Sequence, residues 1–371
     1  MSSSLVDLFL EAVRVDAVSL HEAPVASFIR KKLDGLPVRI VEDNTAGVVN
    51  GEVGNLICIP PSFDPSRPAI ALLAHMDTPR STAGVRPLVN DSSITSDGTT
   101  ALGVDNRAGL SVLLHVLEET AGNGHRGNFV VVFTIAEEIG MYGAKHLDLS
   151  PYNVNGCFIF DCSKRPGTFI QSAVGSSLYT ATFVGKSSHA GVAPEKGIHA
   201  IRIAAQALAE IPMGRLTPTM TSNVGMIAGG VATNVVPDRC RIEGEVREFQ
   251  QSRIDEHLDM LRETFARVAA HSGGSVEFTS AVDFPPFVLE PSCNVFRYTT
   301  RVLESLGLTP NPIEYLGGSD ANMLNANGLP SVNLGVGAQN PHGNDEFILL
   351  EDLHMAKRLA QGLIAAGGIG E

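Results

Sequence analysis

The 371-residue sequence has no CxxC pair, no basic stripe and no long uninterrupted apolar run. Its five cysteines, Cys58, Cys157, Cys162, Cys240 and Cys293, are odd in number and scattered. That pattern disfavours a disulfide framework and a cysteine-ligated zinc site, and predicts buried thiols. A formal charge of -13 without clustered Lys and Arg argues against a nucleic-acid partner, since phosphate binding needs a cationic surface. No segment approaches the roughly 18 apolar residues of a membrane span, so no membrane partner is expected. The opening MSSSLVDLFLEAVRV has acidic residues in a helical apolar rhythm and lacks the basic n-region of a signal peptide, which makes the cytoplasm the expected location. Low-complexity tracts and fixed-period repeats are also missing. No GxGxxG follows the first strand, which counts against a dinucleotide-binding oxidoreductase.

What is present is a chain that is 44% hydrophobic and long enough for two domains. Periodicity predicts helices near 4–15 and 22–34, then strands at Asn55–Pro60 and Ala69–His75. A helix at Leu110–Glu119 follows Gly103–Gly109, and apolar strands are expected at Asn128–Ala136 and Cys157–Asp161. This order predicts a layered α/β sheet with active residues at strand C-termini. From Val174 the pattern changes to half-exposed antiparallel strands, SLYTATFVGK, TSNVGMIAGG and RCRIEGEVREF, with helices near 197–210 and 252–271. After Phe284-Pro285-Pro286 the α/β pattern resumes with helix 292–306, strand Ser331–Gly335 and helix 351–366. The expected division is therefore 1–173 with 285–371 as one domain, and 174–284 as an inserted α+β block.

Several strand and loop ends carry chemistry. Ala69–His75 closes on His75-Met76-Asp77, and residues two apart on a strand share a face, so His75 and Asp77 can touch. That suits a zinc ligand backed by an orienting carboxylate, and equally an ordinary His–Asp hydrogen bond. Asp105, at the entry to a helix, reads either as an N-cap or as a carboxylate bridging two cations. Glu137 and Glu138 end an apolar run; neighbouring strand side chains diverge, so one could hold a metal while the other faces the water that the metal activates. A solvated strand end is the alternative. Asp161 closes Phe158-Ile159-Phe160, and His342 sits among turn formers in Asn340–Glu346. Each is weak by itself. Together they supply nitrogen and oxygen donors of the kind zinc prefers, and two divalent cations would neutralise part of the acidity.

In this order and spacing the five segments resemble the co-catalytic zinc peptidases that include peptidase T, carboxypeptidase G, aminoacylase and succinyl-diaminopimelate desuccinylase. Ile94–Gly109, Glu137–Leu147 and Gly317-Gly318-Ser319-Asp320-Ala321-Asn322 are most similar to the peptidase T-like branch, and the resemblance spans essentially the whole chain. It implies a mixed-sheet, three-layer α/β catalytic domain with an inserted α+β lid that also mediates homodimerisation. It implies two zinc ions, with cobalt or manganese as possible substitutes. One is bound by His75, Asp105 and Asp161 and the other by Asp105, Glu138 and His342, with Asp105 as the bridge. Glu137 becomes the general base, Asp77 the carboxylate behind His75, and Asp105–Asn106 a cis peptide.

In the inserted block, Gly185–Glu195 resembles the segment whose histidine, here His189, reaches the substrate carbonyl oxygen. Asn234 and Arg247 resemble lid residues that contact substrate. Arg247 also reads as a strand cation paired with Glu245 or Glu248. The sequence departs from the family at Asn106 and Arg107, where relatives commonly carry Asp and Lys. The implied activity is hydrolysis of short peptides, with release of the N-terminal residue of tripeptides. An N-acyl-amino-acid amidohydrolase using the same metals is the competing expectation.

Overall fold

Ala69–His75 and Phe129–Thr134 are buried at every position, as parallel strands covered on both faces require. They run parallel to each other, with His75 opposite Thr134. Val154–Cys162 lies parallel to Ala69–His75 on its other side and places Ile159 opposite Leu73, so both strands reach their polar ends, His75 and Asp161, two residues later. Ser331–Gly335 extends the parallel set beside Val154–Cys162. Leu56–Ile59 pairs antiparallel with Phe129–Thr134, and Arg39–Glu42 antiparallel with Leu56–Ile59. Helix Val104–Gly122 packs on Ala69–His75, and helices Leu5–Ala12 and Leu350–Ala365 pack on that helix.

These elements belong to a unit formed by Met1–Gln171, Val288–Glu314 and Ser319–Glu371; a second comprises Ser172–Phe287 and Tyr315–Gly318. The structure, a computed structural model, describes residues 4–122 and 127–366. Among them no helix is long and apolar enough to cross a membrane, and all five cysteines are free. Four are buried, with Cys293 only partly so.

The second unit is an antiparallel sheet in the order Gly214–Arg215, Thr221–Gly229, Arg239–Glu248, Gly175–Val184, Ser275–Phe284. Helices Ala200–Glu210 and Gln251–His271 pack against it and against each other. Alternation along the strands sends Tyr179, Ala181, Phe183, Cys240, Ile242 and Val246 into one core, where Phe265 meets Phe183 edge-on at 5.5 Å. Strand Ser275–Phe284 is not among the sequence-predicted elements. It is mostly exposed, because it is an edge strand and only part of one face meets the helices.

Candidate active site

The sheet of the first unit delivers His75 and Asp161 at the C-terminal ends of adjacent parallel strands, where open α/β sheets hold their sites. His75 is 2% exposed. Its Nε2 lies 3.2 Å from Asp105 Oδ1 and 3.1 Å from Asp161 Oδ1. On the other side of the ring, Nδ1 is 3.3 Å from Asp77 Oδ1 and 3.1 Å from the Asp77 carbonyl. Burial disfavours a charged ring, yet Asp161, Asp105 and Asp77 hold the His75 pKa well above the usual range. Asp77 is fully buried; burial pushes its pKa up, but contact with His75 and the Ser19 hydroxyl brings it below normal.

Asp105 is not the helix cap. It and Asn106 have non-helical backbone angles, the Asp105–Asn106 peptide is cis, and Asn106 Oδ1 accepts from Gly109 N–H at 3.0 Å. Asn106 therefore does the capping, which leaves both Asp105 oxygens for the site. Oδ1 faces His75, and Oδ2 lies 3.4 Å from His342 Nε2. A side chain at Gly109 is excluded, because a Cβ there would come within 2.0 Å of the Phe160 carbonyl oxygen. The helix thus starts hard against the strand that carries Asp161.

Glu137 and Glu138 lie past the strand rather than on it. Phe129–Thr134 stops at Thr134, and Ala136 turns the chain with φ of 51°. The expected divergence of neighbouring strand side chains therefore does not apply, and carboxylate oxygens of both residues come within 4.8 Å of a His75 nitrogen and of each other. The buried Asp77 carboxylate accepts the Glu137 and Glu138 backbone N–H groups, each at 3.2 Å. Burial pushes the Glu138 carboxyl up to about 8, reinforced by Asp105 and opposed by His75 and His342. Glu137 is held well above the carboxylate range, first by burial; His75 opposes that shift, and Asp161, Asp320 and Glu138 add to it.

His342 completes the set from a loop, with Nε2 3.7 Å from Glu138 Oε2. Its own φ is 70° and that of Asn340 is 51°, a strained turn that needs outside support. Arg80 Nη1 donates to the His342 carbonyl at 3.1 Å. Glu346, fully buried, accepts the His342 N–H through Oε1 at 2.7 Å and the Gly103 N–H through Oε2 at 2.7 Å, joining this loop to the segment that carries Asp105.

Among the described residues, three side-chain groupings could hold a metal: His75, Asp105 and Asp161; Asp105, Glu138 and His342; and His75, Glu137 and Glu138. Glu138 Oε1 is buried without a hydrogen-bond partner among the described residues. Carboxylates crowded together out of water repel unless cations sit between them, so the donor set fits divalent metal.

Sequence reasoning missed Glu346, Ser19 and Arg107 as parts of this framework. Arg107 has no exposed surface; it donates to the Met76 carbonyl at 2.6 Å and the Val15 carbonyl at 3.1 Å. Burial lowers its pKa to about 10. For Glu346 the available signal was an acid four residues after His342 in a turn-rich loop, and for Arg107 a cation flanked by the apolar start of a helix.

The remaining three residues lie in the second unit. His189 is exposed, and its Nδ1 accepts from the Gly191 and Val192 N–H groups, both at 3.2 Å. That leaves the ring proton on Nε2. Asn234 is in the adjoining loop, where its carbonyl accepts from Ala190 N–H at 2.9 Å and His189 bridges to Val235. Arg247 Nη2 is 2.9 Å from Glu245 Oε2, and its guanidinium lies 5.7 Å from the Phe284 ring centre. The strand pairing with Glu245 that the sequence offered as an alternative is thus formed.

Residues 172–273 match the peptidase dimerisation domain of the M20 family, and residues 87–164 match the M42 glutamyl aminopeptidase family. The solved aminopeptidase PepT of Bacillus cereus is 34% identical, with 97% of each chain covered and a TM-score of 0.85. A tripeptidase structure from Staphylococcus aureus is 32% identical, covers 98% of this chain and 97% of its own, and has a TM-score of 0.89. Peptidase T of Salmonella arizonae is 24% identical over 394 aligned residues, 95% of this chain and 96% of that protein. The short M42 match ends before the dimerisation domain, whereas these relatives run the full length. Near-complete coverage at more than 30% identity, with that dimerisation domain in place, makes the chain a hydrolase of the M20 peptidase family, in its peptidase T-like branch.

Proposed function

We propose that the chain is a two-zinc aminopeptidase that removes the N-terminal residue of tripeptides. The observation that carries this reading is the Asp105 carboxylate, which turns one oxygen to His75 and the other to His342. His75, Asp105 and Asp161 would hold one cation and Asp105, Glu138 and His342 the other. Donors about 2 Å from a shared tetrahedral ion stand ~3.3 Å apart, and the histidine–carboxylate separations of 3.1–3.7 Å agree with that spacing. Cobalt or manganese could use the same donors. When bound, such a pair supplies Lewis-acid polarisation of the scissile carbonyl and acidifies the attacking water.

Everything else falls to the protein's own side chains. Glu137, whose carboxylate lies within 4.8 Å of a His75 nitrogen and of the Glu138 carboxylate, takes a proton from the attacking water and passes it to the leaving amine. Asp77 faces His75 Nδ1, which would leave Nε2 free for a cation shared with Asp105 and Asp161, and it holds the backbone of Glu137 in place. His189, with its proton on Nε2, is the donor to the developing oxyanion. Asn234 and Arg247 contact the substrate; a guanidinium suits a peptide carboxylate, which would compete with Glu245 for Arg247. The dimerisation-domain match supports a homodimer, and five free thiols support a cytoplasmic, reducing location.

The Staphylococcus aureus relative is named a tripeptidase, which supports tripeptides as substrates, and the Bacillus cereus relative an aminopeptidase, which supports release of the N-terminal residue. The test is metal analysis of the purified protein, with mass spectrometry of a pool of dipeptides, tripeptides and N-acyl amino acids before and after chelation. Chelator-sensitive release of N-terminal residues from tripeptides supports the reading. Turnover of the N-acyl amino acids alone would replace it with an amidohydrolase.

A further inference from the structure

Four consecutive backbone N–H groups, from Ile135 to Glu138, leave the sheet and are each taken by a buried side chain. Asn55 Oδ1 accepts from Ile135 at 3.1 Å, Glu22 Oε1 from Ala136 at 2.9 Å, and the Asp77 carboxylate from both Glu137 and Glu138. The carbonyls of Ile135, Ala136 and Glu137 accept from N–H groups of the turn that follows, Gly143, Tyr142 and Met141, so on the N–H side the path of the stretch is set by those three side-chain acceptors. Ala136 is the sensitive point. It adopts φ of 51° immediately before Glu137, a left-handed conformation that is strained for a non-glycine residue and persists only under constraint.

Tyr142 N–H holds the Ala136 carbonyl at 3.1 Å, and Glu22 holds its N–H from a distant part of the chain. Glu22 has no exposed surface, its Oε1 also accepts the Leu20 N–H at 2.9 Å, and its Oε2 has no hydrogen-bond partner among the described residues. Burying a carboxylate only to cap two backbone groups is expensive, unless the geometry it enforces matters. The segment around it is anchored to the same region. Ala17 O accepts from Thr78 N–H at 3.0 Å, and the Ser19 hydroxyl donates to Asp77 Oδ2 at 2.6 Å.

We infer that Glu22 is a positioning residue for the reaction, which fixes the backbone at Ala136 and so aims the Glu137 carboxylate at the attacking water. This rests on the reading of Glu137 as the general base. Among the described residues Glu22 makes no hydrogen bond to a side chain assigned to the metals, but Glu138 lies two positions past Ala136, so zinc content is read beside turnover.

The experiment compares wild type, Glu22→Ala and Glu22→Gln, each loaded with zinc, by kcat and KM on a tripeptide, zinc content and melting temperature. Glu22→Ala is expected to lose ~10–100-fold in kcat with KM and zinc content unchanged, as a misplaced catalytic group would. Glu22→Gln keeps the acceptor oxygen and is expected to return kcat to within about threefold of wild type, because the Ala136 bond is preserved. If Glu22→Ala does not fold, Glu22→Asp serves in its place, since it withdraws the oxygen by one methylene while keeping the charge. A folded, zinc-replete Ala or Asp variant with wild-type kcat overturns the inference, as does a Gln variant as impaired as Ala, or activity lost in step with zinc. Wild type inert toward every peptide would remove the functional reading itself; active wild type matched by Glu22→Ala removes only this inference.

Discussion

His75 in the first unit and His189 in the second were both singled out by sequence, and their surroundings differ in kind. His75 is 2% exposed and meets three carboxylates, each tied down in turn by a strand, a helix start or a backbone N–H. His189 is exposed on a loop and receives two backbone N–H groups at Nδ1. Buried charged groups must each find partners, which over-determines their geometry. Exposed groups can be satisfied by water, so their placement is fixed by little besides the loop itself. The surroundings of His75 are therefore fixed by the packed core, while those of His189 are fixed by its own loop.

The strongest way to test that contrast is Glu137→Ala. It should lower kcat by ~10²–10⁴ with zinc content retained, measured by tripeptide turnover beside metal analysis. Undiminished turnover would mean that the base lies elsewhere. Next comes His189→Ala, for which the loss of one oxyanion donor predicts a drop of ~10²–10³ in kcat and little change in zinc content. A wild-type rate would confine the chemistry to the first unit. Asp77→Asn keeps the shape but removes the charge that faces His75 and the N–H groups of Glu137 and Glu138. A loss of ~10–100-fold in metal affinity or activity is expected, read by zinc titration against a chromogenic chelator. The smallest effect on turnover is assigned to Phe265→Ala in the core of the second unit. It should destabilise by ~3–5 kcal/mol in denaturant unfolding, yet leave zinc content intact under native conditions. Zinc loss in that variant would blur the distinction between the two units.

Much of the fold was legible because its signals are local. Continuous apolar runs marked Ala69–His75 and Phe129–Thr134, and alternation marked Gly175–Val184 and Arg239–Glu248. Elements with weak or short patterns escaped, among them the exposed edge strand Ser275–Phe284, the seven-residue helix Asp320–Ala326 and the small strands Pro87–Val89 and Phe347–Leu349. Within the site, strand ends flagged His75, Glu137, Glu138 and Asp161. The capping role of Asn106 went unrecognised because a cap depends on backbone angles, and Asp105 is just as good a cap by residue type. Glu22, Asn55 and Glu346 were equally hidden. Each works through one backbone N–H or a few, far away in sequence, and no periodicity encodes that.

The sequence by itself determined the residue types and the strand and loop ends on which the donors sit, because burial on both faces of a parallel sheet forces apolar runs and leaves polar residues where those runs stop. Only the tertiary structure decided that Asp105 turns its two oxygens to two different histidines, and that Glu137 and Glu138 point to one place. Those outcomes depend on a positive φ at Ala136, an Asn106 cap and carboxylates reaching across tens of residues of chain. Long-range hydrogen bonds of that kind form only once the packed core has fixed where each backbone group lies.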